Sequence, residues 1–389
     1  MRVELIAAIA YGAFATILAF IPLVLRRSGA SAELLALYVA STYLGTVLAG
    51  PGLFLSRQGR PLRMAVICWS LARAALLGAA FVTGDVGLLI LAAIVWLGEG
   101  LPTPIYSGIV QQIYPVEDRG KVMAVIRVGM SVSLLILAPV AGWMLDWTGY
   151  RVLFPLAGLI GILAAVTLLR LRFDEGAVRL RQTPTIRHFG SILTHDRRFT
   201  LYLAAIVLFG LSGLMPGALI PLVQVDRLHI SYTELGWLNL ALSLARLLSY
   251  FYWGRRIDRW GAVRCLQAAF VINIVAVLPY IWVTRGWMLL PTFVATGFVY
   301  SAVDLGFINA AIELARARRI QEYSALQATI IGVRGIIAPF IGVGLLRLGV
   351  TGSAIFAVAG GLTLLAALLL TRINRPPNEG PESESERLA

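Results

Sequence analysis

Six ionisable side chains stand inside long apolar stretches of this 389-residue chain: Arg73, Glu99, Arg127, Arg246, Asp304 and Arg334. On membrane-insertion scales each such group costs about 2.5–3.5 kcal/mol, or about 15–20 kcal/mol for six acting alone. They must therefore be paired, hydrated or used. A carboxylate in an apolar cavity has its pKa raised toward neutrality, where it can exchange a proton, and a nearby guanidinium lowers it again. Glu99 and Asp304 are thus candidates for proton or substrate coupling, or for fixed ion pairs, with Arg73 a plausible partner of Glu99. Four cations against two acids leave +2, which favours an anionic solute.

Polar side chains accompany these charges at helical spacing. Asn239, Ser243, Arg246 and Tyr250 fall at i, i+4, i+7 and i+11. Tyr323, Gln327 and Arg334 repeat the register, as do Glu99, Thr103 and Tyr106, and Tyr300, Asp304 and Phe307. A polar stripe facing lipid would be unstable, so each should face water or another stripe.

The elements that carry them are membrane helices. The chain is 59% hydrophobic and 14% charged, with mean hydropathy +0.82. A soluble domain of that composition would expose too much apolar surface to stay monomeric. Backbone polar groups in hydrocarbon must be satisfied within the segment, so the apolar runs are helices, each needing about 20 residues. Twelve are expected, over 5–25, 34–55, 64–83, 88–113, 122–145, 152–170, 199–222, 235–253, 263–283, 288–312, 325–346 and 351–371. The fold class is an all-α membrane protein of two pseudo-symmetric six-helix bundles, 1–170 and 199–371. A cytoplasmic linker over 171–198 with an amphipathic helix joins them, and a disordered tail covers 372–389.

Basic residues set the orientation. With the N-terminus inside, 23 of the 33 fall on the cytoplasmic side and 6 outside. Both termini are expected in the cytoplasm of a prokaryote, at the plasma (inner) membrane. The Arg26–Arg27 pair runs against this rule. The net charge of +13 is spread between apolar runs, so no nucleic-acid partner is implied. Ala30-Ser31-Ala32 resembles a signal cleavage site, but the first apolar run is too long for a signal core, so the span is expected to stay. Cys68 and Cys265 read as small core residues. No metal site and no cofactor is expected.

The chain repeats itself at an offset near 200. Gly52-xxx-Ser56-Arg57-x-Gly59-Arg60 answers to Gly254-xxx-Asp258-Arg259-x-Gly261. Ala138-Pro139-xx-Gly142 answers to Ala338-Pro339-xx-Gly342. Two homologous six-helix halves around a central path are a transporter architecture.

The run from Gly254 to Arg264 resembles motif A (G-x-x-x-D-R-x-G-R) of the major facilitator superfamily, and Gly52 to Arg60 resembles its other copy. The resemblance covers essentially the whole chain. It implies that Gly254, Arg255, Asp258, Arg259 and Gly261, with Gly52, Arg57, Gly59 and Arg60, form a conformational latch on the cytoplasmic side. Asp258 should meet the start of the fifth span near Lys121 and Val122. The other copy has uncharged Ser56 in the acid's place, so the latch should be asymmetric. The resemblance also implies that spans 1, 4, 7 and 10 line the cavity, which makes Glu99 and Asp304 the cavity acids. Spans 2, 5, 8 and 11 would form the interface carrying Arg127, Arg246 and Arg334. Ala138-Pro139-xx-Gly142 looks like a degraded motif C, a helix-crossing motif of drug/proton antiporters. Its flanking glycines are replaced by Ala138 and Trp143, and Ile94 stands where those antiporters carry an arginine.

The reading is a secondary active transporter, not an enzyme. No nucleotide-binding G-xxxx-GK[ST] is present, nor H-E-x-x-H or G-x-S-x-G. Proton-coupled efflux of amphipathic compounds is the leading expectation. Transport or exchange of an organic anion, carboxylate or phosphate, is the alternative. A lipid translocator or a non-transporting receptor on the same fold follows. The partners expected are a small-molecule substrate, protons and the lipid bilayer, and the working unit a monomer.

Overall fold

The structure, a computed structural model, describes residues 2–48, 60–114, 116–171, 187–315 and 319–374. Among the described residues twelve helical rods cross it and there is no strand. In chain order they are α1 (Arg2–Arg27), α2 (Ala32–Val47), α3 (Pro61–Ala80), α4 (Asp85–Gly100 and Thr103–Ile113), α5 (Val116–Thr148) and α6 (Tyr150–Arg170). After the linker come α7 (Arg197–Arg227), α8 (Tyr232–Trp260), α9 (Ala262–Ile281), α10 (Gly286–Leu314), α11 (Ile320–Arg347) and α12 (Gly352–Asn374).

Among the described residues, ten helices are long and apolar enough to cross a bilayer. The other two rods fall short for different reasons. The described part of α2 holds 16 residues, about 24 Å at 1.5 Å per residue. Rod α8 is 29 residues long, but its stripe of Asn239, Ser243 and Arg246 dilutes its hydropathy. Breaks in the rods fall where proline removes a backbone donor. α1 loosens before Pro22, α4 breaks at Leu101–Pro102, and α7 turns 3-10 at Pro216–Ala218. A π-helical turn, Val223–Arg227, closes α7.

Alternate rod ends define two faces. One carries the C-terminal ends of α2 and α8 and most of the described arginines, and is called the basic face. The packing differs between the faces. Near the opposite face one hydrophobic core runs through both halves, with Phe14, Leu145 and Phe154 joined to Leu219, Leu235, Val343 and Phe356. Near the basic face the core splits. One cluster, around Leu62, Trp69 and Ile109, belongs to the first half alone; another, around Phe199, Tyr202 and Phe270, belongs to the second. The halves are therefore packed together at the opposite face and buried separately at the basic face.

The linker forms an amphipathic helix over Arg187–His195. Its apolar side is not left for lipid, since Ile192 is buried in the core of the second half. Asp196 then caps α7 through the Phe199 N–H at 3.0 Å and accepts from the Tyr323 hydroxyl at 2.8 Å. The tail beyond Asn374 lies outside the described residues.

Candidate functional site

In the first half, Arg73 of α3 faces Glu99 of α4. Arg73 Nε donates to Glu99 Oε1 at 2.6 Å and Nη2 to Oε2 at 3.1 Å, while Nη1 donates to the Gly161 carbonyl at 2.6 Å. The rings of Phe14, Tyr11 and Trp69 lie 5.1, 5.2 and 5.7 Å from the guanidinium carbon. The two side chains are 5% and 11% exposed. A forked, desolvated pair boxed by aromatic faces has its charges already spent. Beside it lies a cavity of about 280 Å³ lined by Glu4, Tyr11, Trp69, Thr103, Tyr106 and Met130, among others. Tyr106 donates to Glu4 at 3.3 Å and Tyr114 also donates to it, and Thr103 donates to the Glu99 carbonyl at 3.2 Å. Glu4 sits one residue before the expected first span, so hydropathy alone left it out.

In the second half, Arg246 of α8 meets Asp304 of α10. Arg246 Nη2 and the Tyr250 hydroxyl both donate to Asp304 Oδ2 at 2.5 Å, and Arg246 Nε donates to the Tyr250 oxygen at 3.2 Å. The Tyr300 ring lies 5.8 Å from the guanidinium carbon. Both charged side chains are 33% exposed, far more open than the pair in the first half. Asn239 and Ser243 are half-buried on the same helix. Ser249 and Ser301, 2.6 Å apart and buried, tie α8 to α10 alongside; their small polar side chains gave no signal in sequence.

Arg334 of α11 is placed differently. Its Nη1 donates to the Ile206 carbonyl of α7, and its guanidinium lies flat against Gly210, where a Cβ would collide with it. The Tyr43 ring of α2 lies against Gly335 next door. Arg334 Nε is buried without a hydrogen-bond partner, and among the described residues no carboxylate pairs with it. One helix face further down, Gln327 is buried and donates to the Phe307 carbonyl at 3.3 Å. Arg127 of α5 is exposed, also with no ion pair among the described residues. Of the six intramembrane charges, four cancel as two pairs and two cations remain.

The described residues expected to form the latch after α8 are disengaged. Asp258, Arg255 and Arg259 are exposed, and Asp258 has no ion pair among the described residues. Gly254 has open space around it. Helix α5 begins earlier than expected, at Val116, so Val122 lies inside it rather than at its end. Gly52, Arg57 and Gly59 lie outside the described residues, and Arg60 stands just before α3. Glu313, near the end of α10, caps α9, accepting from the Ala262 N–H at 2.7 Å.

The two proline motifs part company. Ala138-Pro139-xx-Gly142 packs across the halves: Gly142 leaves no room for a Cβ against the Tyr232 carbonyl, and a Cβ on Gly236 would stand 2.6 Å from the Ala138 carbonyl. Ala338-Pro339-xx-Gly342 packs within its own half, with Gly342 against the Met215 carbonyl at the break in α7.

Charged contacts close the opposite mouth. Arg26 of α1 forks onto Asp226 of α7, Nε to Oδ1 at 2.9 Å and Nη2 to Oδ2 at 2.7 Å. Arg27 donates to the Ile230 carbonyl at 2.5 Å and stacks 4.0 Å over the Tyr232 ring. Arg347 of α11 meets Glu33 of α2 at 2.8 Å. The arginine pair that defies the orientation rule is thus part of a cross-half clasp. That conflict was the one sequence signal for it.

The chain matches the Major Facilitator Superfamily over residues 3–231 and again over 202–388. No curated protein gives a significant match. Among solved structures it is similar to the nucleoside transporter NupG, with TM-score 0.76 and 10% identity over 96% of this chain and 99% of that one. It is similar to a D-xylose-proton symporter, with TM-score 0.71 and 13% identity over 96% of both chains. It is similar to the human organic anion transporter MFSD10 (TETRAN), with TM-score 0.64 and 14% identity over 95% of this chain and 98% of that one. At those identities the likeness is one of fold. The matched segments span nearly the whole sequence, and the chain belongs to the major facilitator superfamily.

Proposed function

We propose that this member of the major facilitator superfamily is a secondary active transporter of small organic anions, carboxylates or phosphates, working by alternating access as a monomer. The carrying observation is Arg334, a mid-membrane guanidinium with a buried, unbonded Nε and no acid beside it among the described residues. A buried cation is costly unless compensated, and an anionic substrate forking onto it would supply the missing charge. Arg127 adds a second uncompensated cation toward the basic face. The likeness to an organic anion transporter agrees with this reading but at 14% identity does not carry it.

Proton coupling falls to Asp304 rather than Glu99. Asp304 is a third exposed and shares its oxygen between Arg246 and Tyr250, so water can reach it. Glu99 is held on both oxygens by Arg73 and is only 11% exposed. The termini and basic face are taken as cytoplasmic, in a prokaryotic plasma membrane. The test is uptake of labelled oxalate, succinate and phosphate into proteoliposomes under an imposed pH gradient. Saturable flux of one of them, lost in Arg334→Ala, is expected. Absence of flux for all anions, with flux of a lipophilic dye, would refute it.

A second reading, efflux of amphipathic compounds, is favoured by the aromatic-lined cavity of about 280 Å³ in the first half. There a lipophilic ligand would meet Tyr11, Trp69 and Tyr106 instead of a free guanidinium. Flux sensitive to Trp69→Ala but not to Arg334→Ala would favour it.

A further inference from the structure

Asp146, at the end of α5, caps a helix in the other half. Its Oδ1 accepts the Tyr232 N–H at 3.1 Å, and its Oδ2 accepts the Thr233 N–H and the Thr233 hydroxyl, both at 2.7 Å. Those are the first two backbone donors of α8, which no intrahelical carbonyl can satisfy. The third, at Glu234, is taken by the Ser231 hydroxyl at 3.0 Å. The carboxylate also sits where the helix dipole is positive.

The residues around Asp146 repeat the pattern around Asp258. Gly142-xxx-Asp146-xx-Gly149 and Gly254-xxx-Asp258-xx-Gly261 have the same spacing. Gly149 and Gly261 both adopt positive φ, 73° and 81°, ending their helices the same way. In each, the first glycine lies one turn before the aspartate on the same face. At Gly142 that turn is in contact with the Tyr232 carbonyl; at Gly254 the matching space is open. After α11 the spacing recurs as Gly342-xxx-Leu346-xx-Gly349, with Gly349 at φ 85° but leucine in place of the acid. Among the described helix ends with this spacing, α5 and α8 carry the acidic form, and these two helices pack against each other across the halves.

We propose that Gly142–Gly149 is a second latch at the opposite face, reciprocal to the one at Gly254–Gly261. Helices α5 and α8 run antiparallel, and each carries at its C-terminal end an aspartate directed at the N-terminal end of the other. Asp146 on α8 holds the opposite mouth shut, as in this structure. Asp258 on the basic end of α5 holds the basic mouth shut in the alternate state. The small residues Ala138, Gly142 and Gly236 let the backbones approach closely enough for the carboxylate to reach the amides. The inference rests on alternating access and adds a specific device to it.

The test is double electron–electron resonance on full-length protein in nanodiscs, in a Cys68→Ala/Cys265→Ala background. One label pair, Val86→Cys with Trp287→Cys, spans the opposite face; the other, Leu169→Cys with Arg372→Cys, spans the basic face. Asp146→Ala and Asp146→Asn are expected to add a longer opposite-face distance and, in the same samples, a shorter basic-face distance. Thr233→Val, which loses only the hydroxyl contact, should do so less. Asp258→Asn should move neither distance that way. Asp146 variants that elute as monodisperse protein with wild-type distances would overturn the latch. If no variant or pH moves the two distances in opposite senses, alternating access itself fails, which is a distinct outcome.

Discussion

Arg73 and Glu99 form a two-pronged ion pair in the middle of the first half, with nitrogen–oxygen distances of 2.6 and 3.1 Å. Every guanidinium nitrogen is engaged, because Nη1 is held by the Gly161 carbonyl. Breaking one side of such a pair leaves a buried charge uncompensated, at a cost of about 3–5 kcal/mol. Arg73→Ala and Glu99→Gln should each lower thermal stability by that order, and the double Arg73→Met/Glu99→Gln variant should recover part of it. A Glu99→Gln protein of wild-type stability that loses only pH-dependent flux would instead make Glu99 the proton carrier.

Arg26 and Asp226 can be exchanged. Their forked pair joins α1 to α7 across the opposite mouth, with side chains 25% and 43% exposed. Arg26→Asp alone sets two acids against each other and should open that mouth, raising maleimide labelling of Tyr280→Cys, which is buried, while Leu348→Cys, which is already exposed, calibrates full access. Arg26→Asp/Asp226→Arg should return Tyr280→Cys toward wild-type protection. Equal labelling in both variants would remove the pair from the clasp.

The Glu33–Arg347 contact should matter little at neutral pH and disappear in acid. Bonding to the Ser31 hydroxyl, to its own backbone and to Arg347 lowers the Glu33 carboxyl to about 2. A carboxyl held below its ordinary value of 4.5 stabilises the folded state fully above that value and loses the contribution as pH falls toward 2. The pair is exposed and worth little. Glu33→Gln should therefore lower the unfolding temperature only slightly at pH 7, and that small difference from wild type should vanish between about pH 4.5 and 2. A large loss at pH 7 would contradict this.

Glu313 should act as a helix cap. Glu313→Ala removes the acceptor of the Ala262 N–H and should cost about 1 kcal/mol, as lost caps do. Unfolding by urea in mild detergent measures it, and Glu313→Asp or Glu313→Gln should keep part of the effect. An unaffected Glu313→Ala protein would contradict the capping role.

The rods were legible because a bilayer permits almost nothing else for apolar runs of this length, and the internal offset near 200 exposed the two halves. The charge pairs were half legible. Arg73 with Glu99 followed from adjacent spans, but Arg246 with Asp304 needed the packing of α8 on α10, which no spacing within one helix reports. The clasp at the opposite mouth was not legible. Asp146, Asp226 and Glu33 lie at rod ends, where an acid is ordinary, and only the misplaced Arg26–Arg27 pair hinted at a partner. The start of α5 at Val116 was missed because its first turns are polar, so hydropathy placed the boundary inside the helix.

The central claim is that Arg334 awaits an anion. The most direct measurement is the thermal unfolding of purified wild-type and Arg334→Ala protein with oxalate, succinate, phosphate or tetraphenylphosphonium, since a ligand that binds the folded state raises its stability. An anion should raise the wild-type midpoint and lose at least about thirtyfold in affinity, about 2 kcal/mol, in the variant. Arg334→Lys should not restore it, because an ammonium cannot fork. A midpoint raised only by tetraphenylphosphonium, equally in both proteins, would contradict the claim.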